Sequence, residues 1–240
     1  MSVEDFSSLE FRENYKKTPI TFRKIVFPCI FENLGDINEK SILDLGCGWG
    51  NFSYLLSKEG ASVIGVDISS DWISECIQAY NEENLKFEIG DATDLKNQES
   101  DKFDIVVMNM VFIEFDSLEK VKKAFVEVSR VLKKGGKFLF TDIHPIDKVV
   151  EKTPTRIHSY PSSFSYFQDG SEYKSKVLLE DGSLIEFTDF NWKLETFTDL
   201  LNKNGFCIEK IVEPKSKDEF PALLDSYKFP EYLLFSCKKI

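Results

Sequence analysis

Short apolar runs alternate with segments of helical spacing from the first strand-like run to about residue 141. The runs have the length of buried strands, and they lie at 41–45, 62–66, 85–89, 103–108 and 137–141. Between them, apolar side chains recur every three or four residues, as at Leu118, Val121 and Phe125, which is the spacing of an amphipathic helix. This alternation predicts an α/β domain with an open, doubly wound, parallel sheet and helices on both faces.

The pattern changes after the fifth run, in residues 142–192. Helical periodicity disappears there, prolines interrupt the chain, and β-rich runs at 174–179 and 184–188 flank Asp181-Gly182, which is a typical two-residue hairpin turn. We expect residues 142–192 to form a loop and hairpin inserted after the fifth strand. Together with the helical N-terminal segment 1–35, this insertion is predicted to cap a substrate pocket.

The length and charge of the chain limit the possible functions. No linker or internal repeat divides the 240 residues, which predicts a single domain over 1–240. The formal net charge is −11, from 41 acidic and 30 basic residues, and a negative surface repels phosphate backbones and anionic membranes. We therefore expect neither a nucleic-acid partner nor a membrane partner. The oligomeric state is left open.

Cysteine usage and the N-terminus point to the cytoplasm. The five cysteines are widely spaced and include no CxxC pair, so we expect reduced core thiols and no metal site. The first residues lack the basic and apolar regions of a targeting signal, and no apolar run approaches the ~20 residues of a membrane span. The expected location is cytoplasmic.

A glycine-rich segment, Asp44 to Gly50, joins the first predicted strand to the first helix. Glycines at such a junction let the backbone approach a ligand closely, although a plain strand-to-helix turn would also use them. The dinucleotide motif G-x-G-x-x-G is not met, because Asn51 stands where the third glycine belongs. This departure argues against a pyrophosphate ligand.

Polar side chains follow the next three strands at the edge where doubly wound folds bind ligands. Asp67 ends the second strand and can accept hydrogen bonds from both hydroxyls of a ribose; the alternative is a helix-capping aspartate. Asp91 follows the third strand and can accept from an adenine amine, unless it is a surface turn residue. Asn109 follows the fourth strand at the same edge.

Five segments in this order resemble the motifs of the class I S-adenosylmethionine-dependent methyltransferases. They are DLGCGWGNFS, VIGVDIS, GDATDL, FDIVVMNM and RVLKKGGKFLF. The resemblance implies a Rossmann-like, doubly wound sheet of seven strands, mostly parallel with an antiparallel last strand, and S-adenosylmethionine as the cofactor. The cofactor contacts that it implies are the loop of Asp44, Gly46, Cys47 and Gly48 at the methionine part, Asp67 at the ribose, Ile68, Asp91 and Ala92 at the adenine, Asn109 near the sulfonium, and Tyr15 over the carboxylate.

The C-terminal half has a narrower similarity to small-molecule methyltransferases of this class, carried by TDIHP after the fifth strand and FNWKL after the hairpin. Those proteins often have a histidine where this chain has Asn191. The candidate catalytic base here is His144, because it follows the fifth strand and should emerge at the cofactor edge. The alternative is a loop histidine that is hydrogen-bonded to the backbone.

The sequence does not name the methyl acceptor. We expect in-line transfer to a small molecule through an oxygen, nitrogen or carbon nucleophile, so that a general base is needed only if the acceptor is protonated. The alternatives are a protein methyltransferase and a cofactor-binding partner protein without transfer activity.

Overall fold

The structure is a computed structural model that describes residues 25–147, 156–178, 183–215 and 229–240. The helices of this part are α1 (Phe27–Leu34), α2 (Asn51–Lys58), α3 (Ser70–Ala79), α4 (Leu118–Val131) and α5 (Leu194–Lys203). The strands are β1 (Ser41–Leu45), β2 (Ser62–Asp67), β3 (Leu85–Ile89), β4 (Phe103–Asn109), β5 (Leu132–Ile143), β6 (Arg156–Ser159), β7 (Ser171–Leu178), β8 (Leu184–Asn191), β9 (Phe206–Val212) and β10 (Tyr232–Lys239). A 3-10 turn, Phe112–Glu114, follows β4.

Seven of these strands form the main sheet, in the order β3-β2-β1-β4-β5-β10-β9. Neighbours from β3 to β5 are parallel, and β10 is antiparallel to both β5 and β9. The predicted doubly wound sheet with an antiparallel last strand is therefore confirmed. Because β1 to β5 run in one direction, their C-terminal ends meet along one side, which we call the carboxyl edge.

Two hydrophobic cores cover opposite faces of the main sheet, and the central strand β4 contributes to both. Val106 and Met108 belong to the core under α4 and α5, whereas Ile105 and Val107 belong to the core under α1 and α2. Burial of one such side chain stabilises the fold by about 1.5–3 kcal/mol. Strand β4 is apolar on both faces and is thus fixed between two helical layers. Its last residue, Asn109, therefore lies at the carboxyl edge.

The start of β5 differs from the prediction. Gly135 and Gly136 are expected to end the preceding helix, but α4 already ends at Val131 and β5 begins at the next residue. Gly136 lies inside the strand, where a Cβ would be 2.7 Å from Leu132 Cδ2 and 3.0 Å from Asp104 O. The missing side chain therefore permits a close approach of backbone inside the sheet, and the prediction of a helix stop is wrong.

The chain after β5 forms a second sheet of three strands, β6-β7-β8, which we call the small sheet. The strands β7 and β8 are those of the predicted hairpin, and they pair antiparallel as far as Leu178 opposite Leu184. The predicted turn residues, Asp181-Gly182, lie outside the described part of the chain. Strand β6 pairs with β7 in a stretch predicted as loop, so this part of the prediction is wrong.

The small sheet is attached to the carboxyl edge of the main sheet. Trp192, directly after β8, is buried, and its indole Nε1 donates to Phe112 O in the turn after β4 at 2.7 Å. The guanidinium carbon of Arg156, on β6, lies 5.9 Å from the ring centroid of Tyr232 at the start of β10. One face of the small sheet is therefore packed over the ends of β4 and β10.

Helix α1 packs on the main sheet through Cys29, Ile30 and Leu34. It belongs to the expected N-terminal cap segment, of which residues 1–24, with Tyr15, lie outside the described part. In the part of the chain that the structure describes, every helix is too short or too polar to cross a bilayer.

Candidate functional site

The loop after β1 is held against the end of β2 by its own backbone. The amides of Gly46 and Cys47 both donate to Val66 O, at 2.8 and 3.1 Å. Gly46 has a φ of +71°, and a Cβ there would lie 2.4 Å from Val111 Cγ2. Both the left-handed backbone and the close contact exclude a side chain at position 46, so the shape of the loop depends on this glycine.

Asp67 joins the glycine loop to the start of α3. Its Oδ2 accepts from Gly48 N at 2.8 Å, and its Oδ1 accepts from Ser69 N at 2.9 Å. The residue that caps α3 is Ser69, whose Oγ accepts from Trp72 N, so the helix-capping role that we considered as the alternative for Asp67 belongs to Ser69. Each carboxylate oxygen has a second lone pair, so these bonds leave Asp67 able to accept from ligand hydroxyls as well. Burial raises the pKa of Asp67, and the bonds from Ser69 and Gly48 oppose the rise.

Asp44 is a buried acid under the glycine loop. It is 2% exposed, and Ser53 Oγ on α2 donates to its Oδ2 at 2.6 Å. Burial raises the pKa of Asp44 to about 7, although the Ser53 bond opposes the rise, and the charge of Asp67 adds to it. An acid that titrates near neutral pH beside a ligand edge is typical of a functional site. Ser53 was not predicted, because one serine on a helix carries no signal of which face it occupies.

Two thiols lie behind the same loop. Burial raises the pKa of the Cys47 thiol well above its ordinary value, and contact with Cys76 raises it further. Cys76 Sγ, on α3, donates to Gly48 O at 3.3 Å. A neutral thiol is a poor nucleophile and a poor metal ligand, so the protonated Cys47 side chain is poorly suited to either role. Within the described ranges, no cluster of histidine, cysteine and acidic side chains is arranged to hold a metal ion.

The residues predicted at the adenine lie in the adjoining loops after β2 and β3. Gly90 N donates to Asp67 O at 2.9 Å, which places the two loops side by side. Ile68 is 70% exposed, so its side chain is accessible to a ligand ring. Asp91 Oδ1 accepts from Thr93 N at 2.8 Å, the turn contact that we considered as the alternative. Ala92 packs against the core under α4 and α5.

Asn109 is fixed by a threonine of the neighbouring strand. Thr141 Oγ1 donates to Asn109 Oδ1 at 2.6 Å and accepts from Met110 N at 3.1 Å. Met110 has a φ of +59°, a strained conformation for a residue with a side chain, and such strain is concentrated at functional sites. Thr141 was not predicted as a site residue, since its contact depends on the pairing of β4 with β5.

His144 lies beyond the end of β5 with both ring nitrogens engaged. Nδ1 accepts from Ile146 N at 3.0 Å, and Nε2 lies 3.1 Å from Glu213 Oε1. Because Nδ1 accepts, Nε2 carries the proton in the neutral ring and donates to Glu213. The side chain is 16% exposed. The arrangement matches the backbone-bonded loop histidine that we considered as the alternative, and it leaves His144 at the carboxyl edge.

The inner face of the small sheet carries a group of buried polar side chains that was not predicted. His158 Nε2 lies 2.9 Å from Asp147 Oδ2, and its Nδ1 lies 3.2 Å from Ser175 Oγ. Ser175 Oγ donates to Asp189 Oδ2 at 2.5 Å, and Arg156 Nη1 is 3.7 Å from that same oxygen. All five side chains are buried. We call this set the inner polar network; its sequence signal is weak, since only Arg156 and His158 alternate on one strand, β6.

Asn191 fills the position where the similar small-molecule methyltransferases often have histidine. Its Nδ2 donates to Tyr166 O at 2.9 Å and to Gln168 O at 3.3 Å. The amide therefore ties the loop before β7 to the end of β8, which is a structural contact within the small sheet.

The fold and the carboxyl edge together define a class of protein. A doubly wound sheet with an antiparallel β10, a glycine loop after β1 and a carboxylate after β2 is the arrangement of the class I S-adenosylmethionine-dependent methyltransferases. Residues 37–229 match the model of a family described as a methyltransferase domain. The chain belongs to this family, which confirms the class that the five motifs indicated, with S-adenosylmethionine as its cofactor.

Several known proteins are similar to this chain. The fatty-acid O-methyltransferase of Mycolicibacterium smegmatis is 35% identical over 115 residues, which cover 46% of this chain and only 39% of that protein. The demethylmenaquinone methyltransferase of Lactococcus lactis subsp. lactis is 29% identical over 188 residues, 73% of this chain and 69% of that protein. A putative S-adenosylmethionine dependent methyltransferase from Listeria monocytogenes shares the fold, with a TM-score of 0.67 and 23% identity over 89% of this chain and 97% of that chain.

Proposed function

We propose that this protein transfers a methyl group from S-adenosylmethionine to a small-molecule acceptor. The observation that carries the proposal is the bond from Gly48 N to Asp67 Oδ2 at 2.8 Å. The glycine loop is suited to the amino acid part of the cofactor, and the Asp67 carboxylate is suited to its ribose. The bond places the two next to each other, so one continuous edge matches two neighbouring parts of this cofactor.

The residues of the carboxyl edge fit the cofactor in several further ways. A Cβ at Gly48 would meet no atom within 4 Å, so the backbone is open to a ligand at that point. The exposed Ile68 offers an apolar surface to adenine. When bound, the cofactor supplies a methyl group on a sulfonium that is open to in-line displacement. The proposed contacts are those named from the motifs, at Asp44, Gly46, Cys47, Gly48, Asp67, Ile68, Asp91, Ala92 and Asn109; Tyr15 stays a prediction outside the described residues.

The small sheet is the proposed cap over the acceptor, within the insertion of residues 142–192. The bond from Trp192 Nε1 to Phe112 O supports this, because it holds the small sheet against the turn that follows Asn109. The names of the relatives that act on fatty acids and on demethylmenaquinone favour a small-molecule acceptor. In such a site the protein contributes mainly by aligning the acceptor with the methyl group and by excluding water. Alignment alone can lower the activation free energy by about 7–11 kcal/mol.

His144 is proposed as the histidine nearest the reaction, with positioning favoured over base catalysis. Its Nδ1 lone pair is occupied by Ile146 N, so the ring must change tautomer or leave that bond before it takes a proton. A general base would give His144→Ala a loss of about 10²–10⁴-fold in kcat. A positioning residue would give a raised KM with kcat largely kept.

One observation favours a second candidate, a protein methyltransferase. The ribosomal protein L11 methyltransferase of Thermosipho melanesiensis is 33% identical over 103 residues, 42% of this chain and 37% of that protein. That match covers less than half of either protein, so it says less about the acceptor than the small sheet does.

The proposal is tested in two steps on the purified protein. Native mass spectrometry with added S-adenosylmethionine should show a 1:1 complex. A screen with cofactor carrying an isotopic methyl label should then transfer label to one class among carboxylates, phenols and amines. Transfer to peptides alone would support the protein methyltransferase. Cofactor binding without transfer to any acceptor would support the non-catalytic partner protein.

A further inference from the structure

An aromatic wall stands beside the inner polar network. It consists of Tyr160, Phe164 and Tyr173, whose ring centroids lie 4.5 Å apart for Tyr160 and Phe164, 5.4 Å for Tyr160 and Tyr173, and 5.7 Å for Phe164 and Tyr173. The ring of His158 is 5.8 Å from that of Tyr160. The wall therefore connects the network to the loop between β6 and β7.

Two hydroxyl groups at this place lack a hydrogen-bond partner within the described residues. They are the buried Tyr160 Oη and the Oγ of Ser171, a residue that is 6% exposed. Ser171 and Tyr173 are alternate residues of β7, so their side chains project from the same inward face. Buried hydroxyls in folded proteins are nearly always paired. One of them lies on the inward face of β7, and the other belongs to a ring packed against that face. This pair indicates that a ligand supplies the missing partner.

The charged groups around the Tyr160 hydroxyl indicate whether that ligand is positively or negatively charged. The pKa of the Tyr160 phenol is raised, chiefly by burial and then by the carboxylates of Asp147 and Asp189. The guanidinium of Arg156 lowers this pKa, but its effect is the smallest of the four. The pKa of Tyr173 is likewise raised by burial and by Asp189. Both phenols thus stay neutral. In the described part of the chain, three buried carboxylates act on Arg156 at this place, those of Asp147, Asp189 and Glu231. The basic side chains beside them, among the described residues, are two, Arg156 and the His158 that lies 2.9 Å from Asp147. Acidic groups therefore outnumber basic ones whichever form His158 takes, so an anion is disfavoured here and a cation is favoured.

We propose that the aromatic wall and the hydroxyls of Tyr160 and Ser171 bind a protonated amine of the methyl acceptor. This inference rests on the proposed function and adds the substrate class. An ammonium donates three hydrogen bonds, which suits two hydroxyl oxygens, and it is attracted to the faces of aromatic rings. Because Asp147 and Asp189 keep such a group protonated, it has no free lone pair. The amine is therefore a recognition group, and the methylated atom lies elsewhere on the acceptor.

The test compares three probes of similar shape and different charge. 2-Phenylethylamine is cationic at neutral pH, 2-phenylethanol is neutral, and 3-phenylpropanoate is anionic. Each is titrated by calorimetry into the full chain saturated with S-adenosylhomocysteine. We expect the amine to bind at least about tenfold more tightly than the alcohol, as for a hydrogen bond to a charged group, and the carboxylate to bind weakest. Equal or tighter binding of the alcohol or the carboxylate, or no binding of the amine at millimolar concentration, overturns the inference.

Variants locate the effect. Tyr160→Phe and Ser171→Ala should each weaken binding of 2-phenylethylamine by about 10- to 150-fold, and should leave the weaker binding of 2-phenylethanol nearly unchanged. The matched control is Tyr54→Phe, the same change on α2, away from the small sheet. If neither variant changes the binding of 2-phenylethylamine, the inference is contradicted.

Binding of S-adenosylhomocysteine is measured on every sample, and it reports separately on the proposed function and on folding. If the wild type does not bind it, the proposed function is refuted. If a variant still binds it, that variant is folded.

Discussion

The carboxyl edge of the main sheet and the inner polar network of the small sheet are both polar, but they are held in different ways. At the carboxyl edge the key bond runs from a backbone amide, Gly48 N, to the carboxylate of Asp67. In the inner polar network the bonds join side chains, as from His158 to Asp147 and to Ser175. The first region depends on backbone conformation, and the second depends on every one of its side chains.

This difference predicts different responses to substitution. Where the shape of a site depends on backbone conformation, as at the carboxyl edge, the damaging change is to add a side chain at a glycine. Where a buried network is made by side chains, removal of one partner is the damaging change, because it leaves a charge without compensation. Four variants, taken from the largest expected effect to the smallest, test whether the two regions behave in this way.

His158→Phe should lower the free energy of unfolding by about 3–5 kcal/mol, because it removes the partner of the buried Asp147 carboxylate. Urea denaturation measures the loss. Ser159→Ala is the matched control, since Ser159 is the exposed neighbour on the same strand. Adding Asp147→Leu to His158→Phe should recover part of the stability. A loss below about 1 kcal/mol for His158→Phe would show that the network does not hold the small sheet.

Gly46→Ala should lower the free energy of unfolding by about 2–4 kcal/mol, from backbone strain and from overlap with Val111. It should also abolish measurable binding of S-adenosylhomocysteine. The matched control is Gly135→Ala: Gly135 has a φ of +78°, and its Cβ would meet nothing within 4 Å, so that variant has the strain without the overlap. Equal effects of the two variants would mean that strain alone decides, and that the contact with Val111 is unimportant.

Asp67→Ala should weaken binding of S-adenosylhomocysteine by about 1.5–3 kcal/mol, the range of hydrogen bonds to a charged group. Calorimetry measures the affinity, and Asp94→Ala provides the control, because Asp94 is an exposed carboxylate in the loop after β3. An unchanged affinity would remove Asp67 from the cofactor site and leave it only its role at the start of α3.

Binding of S-adenosylhomocysteine should strengthen as the pH rises from about 6 to 8, by roughly 1 kcal/mol or less. The reason is the sign of the Asp44 titration: burial raises its pKa to about 7, so the carboxyl group is mostly neutral below this pH and mostly ionised above it. The ionised form attracts the ammonium of the ligand. Asp44→Asn should bind with an affinity that is nearly independent of pH in this range. A pH dependence that persists in this variant would assign the effect to another group, such as Asp67.

The parts of the fold that were predictable are those in which one apolar run makes one strand. Strands β1 and β3 begin and end where the predicted runs do, because turn residues bound each run. The start of β5 was not predictable, because the need for glycine at position 136 depends on tertiary packing: a Cβ there would lie 3.0 Å from Asp104 O of the neighbouring strand. Strand β6 was missed because its inward residues are polar, and an inward polar face does not show the usual alternation of a half-buried strand.

The residues of the candidate site also fall into a group that was predictable from the sequence and a group that was not. Asp67 and Asn109 were predicted because each ends a parallel strand, so their place at the carboxyl edge follows from the chain order. Thr141, which fixes Asn109, was missed because that contact is set by the register of β4 against β5. The inner polar network was missed for a similar reason, since its members come together only when three strands of the small sheet pair.

The crystal structure of the protein with S-adenosylhomocysteine tests the central claim most directly, because it shows where the cofactor lies relative to both regions. The account predicts ribose hydroxyls within hydrogen-bonding distance of Asp67, adenine against Ile68, and the sulfur near Asn109 on the side that faces the small sheet. A nucleoside bound away from the loops after β1 and β2, or a sulfur that faces away from the small sheet, would contradict it.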